Sequence, residues 1–184
     1  DVFICYQEKL KEYNALDFDY LLYLTVKLFR ESEETLTRYQ KRWSFVLIDE
    51  YQDTNAAQYF MTNLLVKRHQ NLFVVGDPDQ SIYKWRGADL NNILDFERDF
   101  PDATVVRLER NYRSTQVILD AASAVISRNR NRKEKRLWTD QEGGAPILLY
   151  RGGDELEEAD FITRTTRRAL QEDPESIVAV LYRI

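Results

Sequence analysis

Phe45-Val46-Leu47-Ile48-Asp49-Glu50 runs four apolar residues straight into two carboxylates. A short, continuous apolar run suits a strand buried on both faces of a parallel sheet, since a half-buried strand would alternate instead. The pattern returns at Leu72-Phe73-Val74-Val75, which gives way to Gly76-Asp77-Pro78-Asp79-Gln80. The stretch between, from about Asn55 to Arg68, has the period of a helix with Tyr59, Phe60, Leu64 and Leu65 inward. Downstream, the spacing predicts a helix from about Leu90 to Phe96 and a third strand over 104–108. A helix capped by Ser114 follows, with the apolar stripe Val117, Ile118, Ala121, Ala122, Val125 and Ile126. Further strands are expected over 147–150 and 177–182, flanking a Gly152-Gly153 loop and a helix from about Leu156 to Leu170. Upstream, Val2, Cys5, Tyr6 and Leu10 share a helical stripe, Asp19 is positioned to cap a helix from Tyr20 to Phe29, and the charged stretch 30–41 reads as surface. Strands alternating with helices indicate an α/β fold with a parallel sheet, with a domain boundary near residues 109–113.

The bulk numbers bound the function. In 184 residues, 43% are hydrophobic and 31% charged, the balance of a folded globular protein. No apolar run is long enough to cross a bilayer, so no membrane partner is expected. One cysteine, Cys5, cannot form an internal disulfide, which points to a reducing cytoplasm. His69, the single histidine, lies in a polar stretch that reads as a surface turn, which argues against histidine-based zinc sites and Ser-His-Asp triads. The net charge of −5 is not that of a bulk polyanion binder, so any nucleic-acid contact must come from a local track of stacking side chains and a few cations.

In open α/β sheets ligands bind beyond the carboxyl ends of the strands. Asp49 and Glu50 leave the first strand pointing in different directions, so one carboxylate can hold Mg²⁺ while its neighbour acts on an attacking water. Taken alone, the pair reads first as a charged turn; a second apolar strand ending in Asp77-Pro78-Asp79-Gln80 suggests one shared site. Ser81-Ile82-Tyr83-Lys84-Trp85-Arg86-Gly87 then interleaves two aromatics with two cations. Such a loop can stack on bases and meet phosphates; period-two spacing also allows Tyr83 and Trp85 to be core residues of a strand. Arg113, where the third strand meets a helix, reads either as an arginine finger or as a surface ion pair. The basic run 128–136 reads as a solvated loop ahead of a nucleic-acid patch. A metal-dependent hydrolase built on Asp49, Glu50 and Asp77 is a minor alternative.

Three long stretches carry a family likeness. Leu47-Ile48-Asp49-Glu50-Tyr51-Gln52-Asp53-Thr54-Asn55 resembles the Walker B segment, motif II, of superfamily 1 DNA helicases of the UvrD/PcrA/Rep class. The stretch from Gly76 to Asp89 resembles their motif III, and Leu108-Glu109-Arg110-Asn111-Tyr112-Arg113-Ser114 their motif IV. Ala15-Leu16-Asp17-Phe18-Asp19 is similar to the segment returning from the inserted helical subdomain, and 179–183 to a later strand of the second motor domain. Pro78 and Lys84 stand where the family is expected to vary. The resemblance implies a RecA-like, P-loop NTPase type of fold. Residues 1–108 would hold the later part of the first motor domain, with the tail of the inserted subdomain near 1–14, and 109–184 the opening part of the second.

The resemblance further implies ATP and Mg²⁺ as cofactors, with Asp49 on the metal and Glu50 acting on the attacking water. Gln80 would sense the γ-phosphate, Tyr112 would stack on the adenine and Arg113 would contact the γ-phosphate. Phe18, Tyr83, Trp85 and Arg86 would line a single-strand track. The implied activity is 3′-to-5′ translocation on single-stranded DNA and unwinding at single-strand/duplex junctions, with repair or replication proteins as partners. The departure is the missing Gly-x-x-x-x-Gly-Lys-Ser/Thr loop that cradles phosphates. With a start at Asp-Val-Phe rather than methionine, this reads as an interior slice, inactive alone. The other readings are a noncatalytic nucleic-acid or protein interaction module retaining the fold, and part of a RecB/AddA-like helicase–nuclease.

Overall fold

Short polar side chains set the helix boundaries. Asp17 accepts the Tyr20 N–H at 2.7 Å and starts α2 (Phe18–Glu31), so Asp17, not Asp19, is the cap, and Asp19 sits in the first turn. Ser32 accepts the Thr35 N–H at 3.2 Å and starts α3 (Glu33–Arg42), a helix where the sequence suggested only a charged surface stretch. Its Glu33 and Glu34 sit at the positive end of the helix dipole and Lys41 and Arg42 at the negative end. Asn55 forms a reciprocal capping box with Gln58, at 3.0 and 2.9 Å, and starts α4 (Ala56–Val66). α1 (Val2–Glu12) precedes these. The computed structural model describes residues 2–129, 132–141 and 143–182. Arg130 and Asn131 of the basic run, and Arg183 of the last helicase-like segment, lie outside the described residues.

The described chain divides into two compact units, one of residues 1–110 with 123–137, the other of 111–122 with 138–184. In the first, β1 (Val46–Ile48) and β2 (Leu72–Val74) pair in parallel, Val46 with Leu72, Leu47 with Phe73 and Ile48 with Val74. The ladder continues beyond the strands: Val75 donates to the Ile48 carbonyl at 2.8 Å and Tyr51 to the Val75 carbonyl at 3.0 Å. One face of the pair is half-buried. The other carries Leu47, 72% exposed, and Phe73, 61% exposed, so the expectation of burial on both faces is not met within these residues. The cause is period two: an apolar run supplies side chains to both faces, and only one is covered here.

α2, α3 and α4 pack together beside this pair. Phe29 is buried against Tyr39, whose ring lies 4.8 Å from Trp43. Gln40 donates to the Leu64 carbonyl at 2.8 Å and ties α3 to α4. On α4 the buried residues are Thr62, Leu65 and Val66, whereas Phe60, expected inward, is exposed. The expected helix near 90–96 is two short ones, α5 (Asn91–Leu94) and α6 (Phe96–Asp99), broken at Asp95.

The strands expected over 104–108, 147–150 and 177–182 do not form: these residues are irregular and largely exposed. A parallel strand has no internal hydrogen bonds and exists only as part of a ladder, and none is completed for these segments among the described residues. α7 (Gln116–Ile126), which begins in the second unit, starts after Thr115, whose carbonyl accepts from Ile118 and Leu119, one residue later than the expected Ser114 cap. The buried residue of α7 is Leu119, outside the expected stripe; Val117, Ile118 and Val125 are exposed. α8 (Glu155–Glu172) starts at Asp154, which accepts the Glu157 N–H at 2.8 Å, and Tyr150 stacks flat on Phe161 at 3.9 Å. No helix of the described residues is long and apolar enough to cross a membrane.

Candidate functional site at the strand ends

β1 delivers Asp49 and Glu50 to the surface, both exposed. Asp49 folds back to accept the Glu50 N–H at 2.9 Å. Glu50 adopts φ 50°, ψ 43°, a left-handed conformation uncommon for a residue with a side chain. Glu50 in this conformation precedes a short 3-10 turn, Tyr51–Asp53.

Gln52 stabilises the arrangement. It is 1% exposed and uses both ends of its carboxamide. Its Oε1 accepts the Asp77 N–H at 2.9 Å, and its Nε2 donates to Glu50 Oε2 at 2.7 Å. A backbone N–H can only donate, so the amide orientation is fixed: the oxygen faces Asp77 and the nitrogen faces Glu50. Gln52 thus joins the end of β1 to the end of β2. Gly76 permits this approach; a Cβ there would stand 2.7 Å from Gln52 Oε1 and 2.8 Å from Ile93 Cδ1. Beside Gln52, Tyr51 is fully buried, edge-on to Phe96 at 5.7 Å, and burial pushes its phenol up to about 12. Thr54 is held by Asn92, which donates to its carbonyl at 3.0 Å and its hydroxyl at 3.1 Å.

The end of β2 is a turn organised by Asp77. Its Oδ1 accepts the Asp79 N–H at 2.9 Å and its Oδ2 accepts from Gln80 Nε2 at 2.9 Å. Two cations of the basic run reach this turn: Lys135 pairs with Asp77 and, at 3.3 Å, with Asp79, while Arg132 pairs with Asp79 at 2.9 Å. Burial pushes the Asp77 carboxyl up, but hydrogen bonds from Lys135, Gln80 and the Asp79 N–H outweigh it and hold the group below its ordinary value. This part of the basic run is therefore not a solvated loop. Its pairing with Asp77 and Asp79 was missed in the sequence, where only the excess of cations was visible.

Tyr83 and Trp85 follow within six residues of Gln80. Trp85 is 74% exposed and Tyr83 38%, so neither is a core residue of a strand. Their ring centroids are 6.3 Å apart, and the Arg86 guanidinium sits over both, 5.4 Å from Tyr83 and 4.6 Å from Trp85. Gly87, at φ 84°, takes the left-handed conformation that ends this turn. Phe18 is exposed on the first turn of α2.

In the second unit, Tyr112 and Arg113 stand on a turn built by Asn111, whose Oδ1 accepts from the Arg113 N–H at 2.9 Å and the Ser114 N–H at 2.7 Å. Gln141 donates to the Tyr112 carbonyl at 2.9 Å and steadies the same turn. Both Tyr112 and Arg113 are exposed.

Residues 1–101 match the UvrD/REP helicase N-terminal domain and residues 106–184 the UvrD-like helicase C-terminal domain. The chain belongs to the UvrD/REP helicase family. It is 51% identical over its full length to the ATP-dependent DNA helicase PcrA of Leuconostoc citreum and 49% identical to that of Bacillus subtilis (strain 168). It is 48% identical over 97% of its length to the PcrA helicase of Staphylococcus epidermidis. The chain spans 25% of the length of each of these relatives. UvrD-like helicase domains imply a RecA-like fold, and the parallel β1–β2 pair with its loaded carboxyl ends accords with it.

Replacing Gln52 with methionine keeps the side-chain length and removes its hydrogen bonds to Asp77, Glu50 and Asp53. The part-buried Asp77 N–H then lacks its acceptor, and the change is expected to cost about 1–3 kcal/mol of stability in urea denaturation. An unchanged midpoint would mean that Gln52 does not hold the two strand ends together.

Proposed function

We propose that this chain is an interior part of an ATP-driven DNA translocase and helicase, with residues 1–108 in the first RecA-like motor domain and 109–184 in the second. The observation that carries the reading is the linkage of strand ends: Glu50, Gln52, Asp77 and Gln80 form one hydrogen-bonded series, and the exposed Tyr83–Trp85–Arg86 group lies on the same segment. The ATP-dependent DNA helicase activity named for the relatives supports it.

Asp49 offers a hard carboxylate at the open end of β1, which suits Mg²⁺, an ion that takes one or two carboxylates with the substrate phosphates and water. Asp77 is already committed to Lys135, Gln80 and Asp79, so a hydrolase site needing three free carboxylates has no support. When bound, Mg²⁺ supplies charge neutralisation for the phosphates. Glu50, held by Gln52, orients the attacking water and accepts its proton. Gln80 keeps a second amide hydrogen for the γ-phosphate after donating to Asp77. Tyr112 stacks on the adenine, and Arg113 contacts the γ-phosphate.

Phe18, Tyr83 and Trp85 offer ring faces to bases, and Arg86 offers its charge to the strand. A shift of the segment from Asp77 to Arg86 is felt at both ends, which converts hydrolysis into strand movement, 3′ to 5′ along single-stranded DNA and against single-strand/duplex junctions. The 184 residues alone carry no Gly-x-x-x-x-Gly-Lys-Ser/Thr loop and are proposed not to turn over ATP by themselves.

In the chain extended to its natural ends, Glu50→Gln is expected to lower DNA-stimulated ATP turnover by about a hundredfold or more while nucleotide binding persists. A folded, complete chain without turnover would favour a noncatalytic interaction module instead. Trp85→Ala is expected to weaken single-strand affinity by about 1–3 kcal/mol in a fluorescence titration. Unchanged affinity would remove Trp85 from the strand track.

A further inference from the structure

The basic run has an organised destination that the proposed chemistry does not use. Asp77 and Asp79 place two carboxylates in one turn, and Asp79 has only 7% of its side chain exposed. Like charges this close, partly withdrawn from water, oppose one another and weaken the turn unless cations reach them. Arg132 and Lys135, with 17% and 21% of their side chains exposed, supply that charge.

We propose that Lys135, assisted by Arg132, is a positioning residue for the nucleotide response, fixing through Asp77 the carboxamide of Gln80. The path is continuous. Lys135 pairs with Asp77 Oδ1, and the other oxygen of that carboxylate accepts from Gln80 Nε2 at 2.9 Å. The Asp77 N–H is held by Gln52, which in turn holds Glu50. The oxygen that Lys135 meets also accepts the Asp79 N–H, and the lysine adds a charged bond to that neutral one, so it strengthens the hold on a carboxylate that cannot rotate without breaking bonds on each side and thereby limits where Gln80 can point. Arg132 acts separately, pairing with Asp79 and relieving Lys135 of serving both acids alone. The 132–135 segment belongs to the same compact unit as β1 and β2, although it falls in the stretch matched by the C-terminal helicase domain. A segment of one family domain thereby sets the geometry of a site built by the other.

This inference rests on the motor reading, so the test is made in the full-length protein with wild type and Glu50→Gln alongside. The variants are Lys135→Met and Lys135→Arg, scored by kcat and KM for ATP with saturating single-stranded DNA, by nucleotide-free DNA affinity and by circular dichroism. Lys135→Met is expected to lower kcat about tenfold, the scale of a small misplacement of a catalytic group, with KM and DNA affinity little changed. Lys135→Arg, which keeps the charge, is expected to restore most of the loss. Should Lys135→Met lose its native circular dichroism, Lys135→Gln, a donor without charge, is scored in its place. Wild-type kcat in the uncharged variant while Glu50→Gln is inactive would overturn the positioning role and leave the motor reading intact. A parallel loss of nucleotide-free DNA affinity would make Lys135 a strand contact and also overturn it. No turnover from wild type would overturn the motor reading itself.

Discussion

The carboxamide of Gln52 is the contact on which the site depends. It is buried, both of its ends are used, and its orientation is dictated by a backbone donor. Two strands of a parallel pair are bonded along their length, but their carboxyl ends diverge into loops that the ladder no longer controls. Gln52 extends that control by one polar group. It holds the left-handed Glu50 turn on one side and the first residue of the Asp77 turn on the other. Gly76 is the complementary requirement, since any side chain there would occupy the space the amide needs.

From that point the arrangement is built outward by charge and ring geometry. Asp77 distributes its oxygens among Lys135, the Asp79 N–H and Gln80, and Asp79 is matched by Arg132. Further along the segment, the Arg86 guanidinium lies over the Tyr83 and Trp85 rings, an attraction that keeps a cation beside two exposed aromatic faces. The acid-rich end and the aromatic end sit within ten residues of one another, Asp77 to Arg86, each shaped by a tight turn. That physical shortness is what the proposed coupling of nucleotide to strand requires.

Much of this was legible in the sequence. The apolar runs ending in acids predicted β1, β2 and their parallel arrangement, whereas the aromatic–cation alternation left an exposed loop and a core strand both open, and the exposure of Trp85 decides for the loop. Burial was not legible: an apolar strand announces that it can be covered on both faces, and Leu47 and Phe73 show one face open here. Nor were the segments at 104–108, 147–150 and 177–182 safe as strands, because strand formation depends on neighbours that no local pattern encodes. α3 was hidden by its charge, and its signal was the Ser32 cap followed by two glutamates. Arg132 and Lys135 could not be assigned because their partners lie 53 and 58 residues earlier in the chain. Gln52 stood in plain view within the acidic motif, yet its bridging role emerges only when β1 and β2 are placed in register.

Native-state hydrogen exchange at the Asp77 amide reads the Gln52 bridge most closely. Protection comparable to that of the Val75 amide, which is bonded to the Ile48 carbonyl in the ladder, is expected, because Gln52 accepts the part-buried Asp77 N–H. Exchange at the rate of an open loop would contradict it, and would mean that the two strand ends move independently.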